Sequence, residues 1–234
     1  MKFGFQSSKY DNLTLEREIQ FADNNKVDFF DVFFDDFVPA DIVNVQLPEI
    51  FTVHLPQGFA KREKEYQKPY FDFINKNKPA TVTVHFAELT MDSLEYICSQ
   101  ITSGIICIEN SIPDRNEFSG LSYIDFMVEA NAFALEKGIK IASTFDCGHT
   151  KLCGYDAVEY AKQILEKGID VYTIHLHDND GTGDQHRPAG SLYNGINFGE
   201  IINIFNKMNH DVYGVIEHWN NNYNALEYLR NLQN

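Results

Sequence analysis

The stretch from 171 to 190 concentrates side chains that bind metal ions directly behind an apolar run. It reads "VYTIHLHDNDGTGDQHRPAG" and holds His175, His177, His186, Asp178, Asp180 and Asp184. Imidazole nitrogen combined with carboxylate oxygen suits Mn2+, Zn2+, Co2+ or Fe2+ better than Ca2+. The segment therefore predicts a divalent metal site at the end of a buried strand.

An ionisable residue ends each of the last six β-rich apolar runs of the chain. These residues are His54, His85, Glu109, Asp146, His175 and Glu217. If side chains alternate along each strand, residues two positions earlier, such as Thr83 and Thr144, face the same way and are small fillers. Three imidazoles and three carboxylates at one focus would be costly without a balancing cation. Their shared position therefore predicts one metal centre.

Eight β-rich runs alternate with helical segments along the chain. The runs lie at 2–6, 27–34, 50–56, 81–86, 105–110, 141–146, 171–178 and 213–218. The helical segments lie at 15–24, 59–77, 94–101, 123–138, 156–168, 198–208 and 223–233, and the link at 35–49 is only weakly helical. Such alternation implies right-handed βαβ units with parallel pairing, and eight units predict a closed (β/α)8 TIM barrel. Active sites of these barrels form at the C-terminal ends of the strands, where the six ionisable residues converge.

Length and local patterns favour one domain. With 234 residues and 44% hydrophobic residues the chain can bury one large core, and no linker rich in Gly, Pro or Ser divides it. We therefore expect residues 1–234 to form a single α/β domain. A doubly wound open sheet is disfavoured because "SSKYDNLTLERE" follows the first strand without the glycines of a phosphate loop.

Charge composition limits the classes of binding partner, and cysteine content bears on the cellular location. The chain has 19 basic and 34 acidic residues, a formal charge of -15, which disfavours nucleic acid and anionic membranes as partners. No apolar run approaches 18 residues, so no membrane span is expected, and the start "MKFGFQ" lacks the features of a secretory signal. The four cysteines form no CxxC pair, which indicates reduced thiols and a cytoplasmic protein.

The ordered strand-end motifs resemble those of a known superfamily. From the third strand onward they are "VHLP", "VHF", "IEN", "FDCGH", "HLHD", "DQH" and "IEH". The series resembles the xylose-isomerase-like barrel superfamily, which includes sugar phosphate isomerases and epimerases and the endonuclease IV type of DNA-repair enzyme (AP endonuclease family 2).

The two branches of this superfamily imply different ligand sets. The epimerase branch implies one divalent metal (Mn2+, Zn2+, Co2+ or Mg2+) with substrate nearby. Its metal ligands would be Glu109, Asp146, His175 and Glu217, and its substrate-binding residues His54, His85, His149 and Arg187. The endonuclease branch implies a three-metal cluster, to which His54, His85, His149, Asp184 and His186 would also contribute.

The favoured function is that of a metal-dependent sugar or sugar phosphate isomerase or epimerase. A metal chelated by the carbonyl and hydroxyl of a small polyhydroxy substrate would stabilise an enediolate, with Glu109 and Glu217 as base and acid. The alternative is a phosphodiesterase of the endonuclease IV type acting on abasic DNA, against which the acidic charge and the "LPQG" after His54 weigh. A dehydratase and a sugar-binding barrel without turnover are further alternatives. The sequence does not identify the substrate, the metal or the roles of the two glutamates, and it does not show whether the protein forms a homo-oligomer.

Neighbouring residues have expectations of their own. We expect His177 to be leaving the barrel, Asp178 to orient an imidazole, and His218 to pack against the barrel wall. Phe86 and Trp219 would wall a substrate pocket or cover the core.

Basic residues on the C-terminal loops provide sites for an anionic group of a substrate. Arg115, Lys151 and Arg187 fall there, and each could bind a phosphate or carboxylate or remain a solvated charge.

Overall fold

The eight predicted strands close into a parallel barrel in the computed structural model, which describes residues 1–8, 13–217 and 222–233. The strands are β1 Lys2–Gln6, β2 Phe29–Phe33, β3 Phe51–His54, β4 Thr81–His85, β5 Ile105–Glu109, β6 Ile141–Asp146, β7 Val171–His175 and β8 Tyr213–Ile216. Each pairs in parallel with the next, and β8 pairs with β1. The prediction of a (β/α)8 barrel is confirmed.

Helices form the outer layer. They are α1 Leu15–Asn24, α2 Lys64–Asn77, α3 Met91–Gln100, α4 Tyr123–Lys137, α5 Cys147–Leu152, α6 Ala157–Glu166, α7 Phe198–Phe205 and α8 Asn222–Gln233, with a 3-10 turn at Phe59–Lys61. Residues 35–50 form turns without a helix, in keeping with their weak helical pattern. Within the described ranges, no helix is both long and apolar enough to cross a bilayer.

The short helix α5 was not predicted from the sequence. It follows β6 directly, because the Asp146 side chain accepts a hydrogen bond from the backbone N–H of His149 at 2.6 Å and caps the first turn. The cap also orients the Asp146 carboxylate at the mouth of the barrel.

The barrel interior is filled in layers below the mouth. The Thr83 and Thr144 hydroxyls lie 2.8 Å apart, and those of Thr81 and Thr173 lie 3.0 Å apart. All four side chains are buried, as the two-residue alternation predicted. The layers fix the register in which the ionisable strand ends project upward.

One buried tyrosine ties the helical layer to two of the strands that carry the site. The Tyr123 hydroxyl of α4 lies 2.7 Å from the carbonyl oxygen of Ile108, to which it donates, and 2.6 Å from Ser143 Oγ. Ile108 precedes Glu109 on β5, and Ser143 lies on β6 below Asp146. This contact therefore helps to hold both carboxylate-bearing strands in place.

We expect Tyr123→Phe to lower the free energy of unfolding by about 1 to 3 kcal/mol, because it leaves buried polar groups unpaired without removing packing volume. Urea denaturation followed by circular dichroism measures the change. Tyr193→Phe is the matched control, since Tyr193 is fully exposed, and it should leave stability unchanged. Equal midpoints for both variants would contradict the role assigned to the Tyr123 hydroxyl.

Candidate metal centre

Three carboxylates surround one imidazole nitrogen at the mouth of the barrel. Nδ1 of His175 lies 2.6 Å from Glu109 Oε1, 3.3 Å from Glu217 Oε1 and 3.4 Å from Asp146 Oδ2. All four side chains are buried. The residues predicted as a four-ligand set are therefore brought together from β5, β6, β7 and the end of β8.

Several buried atoms at this focus are close to polar neighbours without the geometry of a hydrogen bond. Both ring nitrogens of His175 and Oε2 of Glu109 are without a hydrogen-bond partner among the described residues. Glu109 Oε2 nevertheless lies 3.2 Å from His54 Nε2 and 3.3 Å from His85 Nε2. Buried polar atoms left unpaired are costly, and a shared cation between them would remove that cost. The donor set thus fits a divalent metal.

The two histidines from β3 and β4 differ in their charge state. Burial disfavours the protonated ring of His54, but Glu109 and Glu217 outweigh burial and raise its pKa to about 9. Burial dominates at His85 and lowers its pKa to about 4. The two rings are adjacent, with Nε2 atoms 3.2 Å apart, so one protonated and one neutral imidazole share this side of the mouth.

The carboxylates of the centre are held in their charged form. Burial alone would raise the pKa values of Glu109 and Asp146, but the surrounding histidines outweigh it and lower both well below the usual range. The same balance acts on Glu217. Burial raises its pKa, but His175 and the other histidines outweigh burial and lower the pKa to about 2. At neutral pH the mouth therefore presents anionic oxygen ligands.

A loop after β7 carries two more predicted ligands over the mouth. Asp184 Oδ2 lies 3.0 Å from His186 Nε2 and 3.5 Å from Nε2 of His149, which projects from α5. An antiparallel backbone pair between Asp178 and Arg187 folds this loop back on itself. The loop thereby brings Asp184 and His186 beside His149.

The expectation that Asp178 orients an imidazole is wrong. Its carboxylate accepts from Lys151 Nζ at 3.0 Å and from the backbone N–H groups of Asn179 and Ile196 at 2.8 and 3.2 Å. Asp178 therefore anchors the two ends of the loop, and Lys151 pairs with it instead of facing the mouth. The sequence could not show this, because the partners lie on α5 and at the far end of the loop.

The expectation that His177 leaves the barrel is also wrong. The side chain is fully buried, and its Nε2 lies 3.1 Å from both carboxylate oxygens of Asp146. The chain stays extended past the last residue of β7, since the Leu176 N–H donates to Val215 O at 2.8 Å. His177 therefore remains on the same face as His175, and the H-x-H spacing was the signal for it.

Two further residues beside the centre were missed. The Gln6 side chain donates to Glu217 Oε1 at 2.5 Å and to Asp31 Oδ2 at 3.2 Å. Asp31 is buried below it, accepts from Thr52 Oγ1 at 2.5 Å, and burial raises its pKa. A charged residue inside the apolar run "VDFFDVFF" was the available signal for Asp31.

The remaining predicted residues lie away from the cluster. Arg187 donates to Asp180 at 2.8 Å and to Gln185 at 2.7 Å, so its contact with a substrate stays a prediction. Arg115 is exposed. Phe86 is buried against Tyr123 and covers the core.

His218 and Trp219, for which expectations were drawn from the sequence, lie outside the described residues.

Among the described residues, the potential ligands form five overlapping triads, each with its donor atoms within 4.8 Å of one another. The triads are His54/His175/Glu217, His54/His85/Glu109, Glu109/Asp146/His175, Asp146/His149/His177 and His177/Asp184/His186. The first three lie at the strand ends, and two of them include His175, whereas the last two extend toward the loop. More potential ligands therefore lie at the mouth than one cation needs.

Comparisons by sequence match about a third of the chain. No protein-family profile matches the chain. A stretch of 79 residues, 34% of the chain, is 35% identical to an uncharacterised protein of Methanocaldococcus jannaschii, and the match spans only 25% of that protein's length.

Solved structures match over nearly the full chain. A D-tagatose 3-epimerase-like protein has a TM-score of 0.69 at 18% identity, covering 99% of this chain and 97% of the other. Endonuclease IV from Thermus thermophilus has a TM-score of 0.63 at 13% identity, covering 99% and 98%. These likenesses show a shared (β/α)8 barrel fold, as the alternation of strands and helices predicted.

We expect a divalent cation to stabilise the metal-free protein, because the ligands are preformed in the folded state only. Adding Mn2+ or Co2+ at about 100 times its dissociation constant should raise the free energy of unfolding by about 2.7 kcal/mol. His175→Gln should lose most of this gain, measured as a shift in Tm. His210→Gln is the control, since that ring stacks on Tyr172 away from the cluster. A gain of equal size in wild type and His175→Gln would contradict the central position of His175.

The raised pKa of His54 predicts a pH-dependent stability of the metal-free protein. A pKa raised from 6.5 to about 9 means that the folded state binds the proton more tightly. Its contribution is complete below pH 6.5 and is lost as the pH rises toward 9. His54→Gln should therefore reduce the loss of stability over this window by on the order of 1 to 3 kcal/mol, measured by denaturation at several pH values. An unchanged slope would refute the assignment.

Proposed function

We propose that this protein is a metal-dependent isomerase or epimerase acting on a small polyhydroxy carbonyl compound such as a sugar. The observation that carries the proposal is the approach of two buried glutamates to one imidazole from separate strands. Glu109 on β5 and Glu217 at the end of β8 reach the same nitrogen of His175 at 2.6 and 3.3 Å. The two strands are three places apart in a ring of eight, so the carboxylates face one space from different sides.

The inner ligands, Glu109, Asp146, His175 and Glu217, would hold the cation. A divalent cation in this position supplies Lewis-acid stabilisation of the negative charge that develops on substrate oxygens when an adjacent carbon loses its proton.

The protein's own groups supply the proton transfer. Glu109 and Glu217 are ionised at neutral pH, so either can accept a proton from a substrate carbon placed between them. The carboxylic acid formed in this way returns the proton to the neighbouring carbon in an isomerisation, whereas an epimerisation needs the opposite carboxyl group to carry a proton before it donates to the other face. Gln6 donates to Glu217 and holds the orientation of that carboxylate. Protonated His54 can donate to a substrate oxygen, while neutral His85 can accept from a hydroxyl.

The loops around the mouth favour a small substrate over a polyanion. Lys61 pairs with Glu117 at 2.5 Å, Lys151 with Asp178 at 3.0 Å, and Arg187 with Asp180 at 2.8 Å. Basic side chains already neutralised by carboxylates contribute little to binding a nucleic acid backbone. With the formal charge of -15, this supports a small and largely uncharged substrate.

A second candidate function is hydrolysis of a phosphodiester in abasic DNA. The specific observation in its favour is the excess of ligands, because five overlapping triads exceed what one cation needs. Endonuclease IV is among the proteins that share the fold. Phosphodiester hydrolysis commonly uses more than one metal ion.

Deuterium incorporation into substrate carbons, followed by NMR in D2O, tests the proposal directly. Mn2+-loaded protein is incubated with a panel of ketoses and aldoses, and we expect exchange at a carbon next to the carbonyl. Glu109→Gln and Glu217→Gln should each slow exchange by about 100-fold or more, because an amide cannot accept the proton. Glu129→Gln, an exposed residue of α4, is the matched control.

Two outcomes would overturn the proposed reaction. One is metal-dependent cleavage of abasic DNA that is lost in the same variants while no sugar exchanges. The other is exchange that proceeds at the wild-type rate in both glutamine variants.

A further inference from the structure

A line of hydrogen bonds crosses the closure of the barrel and ends on one of the two inner glutamates. The Thr52 hydroxyl on β3 donates to Asp31 Oδ1 on β2 at 2.5 Å, and the Gln6 amide on β1 donates to Asp31 Oδ2 at 3.2 Å. The same Gln6 nitrogen donates to Glu217 Oε1 at 2.5 Å. The line therefore joins the end of β8 to β1, β2 and β3, which are consecutive in the barrel.

The Gln6 amide nitrogen has two hydrogens and three polar neighbours. Two of these neighbours are Glu217 Oε1 and Asp31 Oδ2, and the third is His54 Nδ1 at 3.3 Å. The two carboxyl oxygens are closer than the ring nitrogen, and carboxylates are strong acceptors, so they take the two hydrogens. The plane of the Gln6 amide is therefore fixed by Asp31 on one side and Glu217 on the other.

Asp31 is an unusual residue for the interior of the barrel. Its side chain is 1% exposed, and the parallel register sets it between Gln6 and Thr52. Both of its donors are neutral groups, and burying a carboxyl group without a cationic partner is costly. Elsewhere the interior is filled by side chains such as Thr83 and Thr144. The contact that accounts for a carboxyl group at this position is the one with Gln6.

The contact between Asp31 and Gln6 does not depend on the charge of the carboxyl group. An amide nitrogen donates and cannot accept, so Asp31 Oδ2 is the acceptor whether or not Oδ1 carries a proton. The amide cannot turn by 180° either, because its oxygen would then face the oxygens of Asp31 and Glu217. Asp31 therefore sets the orientation of Gln6 in either charge state.

The two oxygens of Glu217 have different surroundings. Oε1 accepts from Gln6 and lies 3.3 Å from His175 Nδ1. Oε2 lies 3.8 Å from His177 Nε2, beyond hydrogen-bonding distance, and no residue in the described ranges donates to it. A carboxylate oxygen that already accepts a short hydrogen bond is the weaker base of the two. Oε2 is therefore the oxygen that remains for a substrate.

We propose that Asp31 is a positioning residue for proton transfer, because it holds Gln6 on Oε1 of Glu217 and so leaves Oε2 to take the proton. The proton leaves the substrate carbon for Oε2, and the electron pair of the broken C–H bond remains on the substrate as an enediolate. Asp31 acts only through Gln6. The inference rests on the proposed isomerase or epimerase function and adds to it the residue that orients one of its two glutamates.

Proton exchange from a ketose, followed by NMR in D2O with Mn2+-loaded protein, tests this role. Asp31→Val replaces the carboxyl group by an apolar side chain suited to a strand, and Asp31→Ala takes its place if that variant does not fold. The substitution should lower kcat for exchange by about 10-fold or more with little change in KM, since it removes orientation and not binding. Asp31→Asn should restore most of the loss, because its carbonyl oxygen can accept from Gln6. Asp23→Val, at an exposed position of α1, is the matched control.

A double variant distinguishes action through Gln6 from a separate effect on the protein. Gln6→Met keeps the length of the side chain and removes the amide, so it should slow exchange at least as much as Asp31→Val. If Asp31 acts only through Gln6, the double variant Asp31→Val/Gln6→Met should be no slower than Gln6→Met alone. The inference is overturned if the two effects multiply in the double variant, or if Asp31→Val keeps the wild-type kcat.

The Gln6 side-chain amide provides a readout that needs no turnover. In Zn2+-loaded, 15N-labelled protein its two hydrogens can be assigned by their loss in Gln6→Met. They should exchange with water at least about 10-fold faster in Asp31→Val than in wild type. Unchanged exchange of these hydrogens would overturn the inference whatever reaction the protein performs. Faster exchange in a protein that removes no sugar proton would support the positioning of Gln6 by Asp31 and refute the proposed reaction alone.

Discussion

The rest of the structure depends on holding carboxylates and imidazoles from many separate elements close together at one end of the barrel. Each buried anion alone would be expelled or protonated, since desolvation raises the pKa values of Glu109 and Asp146 before their neighbours act. The histidines from other strands reverse this effect, and the carboxylates in turn keep His54 protonated. The groups are therefore stable only as a set, and a missing member or cation leaves unpaired buried atoms behind.

The barrel meets this constraint by fixing the inner ligands on regular structure. Two-residue alternation places the threonine layers below the mouth and the ionisable residues above them. The parallel register sets His85 opposite Glu109 and Asp146 opposite His175. The cap at Asp146 and the buried Tyr123 hydroxyl hold β5 and β6 from outside. Ligands mounted on strands in this way need little rearrangement to bind a cation.

The two loop residues at the mouth, Asp184 and His186, are held differently from the strand-end residues. Asp184 and His186 lie on a loop whose position depends on Asp178, Arg187 and Lys151. The same fold is found in a D-tagatose 3-epimerase-like protein and in an endonuclease IV, so the barrel does not decide the reaction. The side chains at the mouth and the charge of the surrounding loops decide which substrate can approach.

The sequence by itself determined the eight strands, their order and the six strand-end residues, because alternation along a strand is a local property that short windows reveal. Tertiary structure decided what local pattern cannot. His177 stays inside because Leu176 pairs with β8, and Asp178 anchors a loop because Lys151 and Ile196 reach it. Arg187 pairs with Asp180 on the rim, and Gln6 meets Glu217 only when β1 closes on β8. These contacts join residues that are far apart in the sequence or lie on an irregular loop. No periodic pattern in the sequence therefore predicts them.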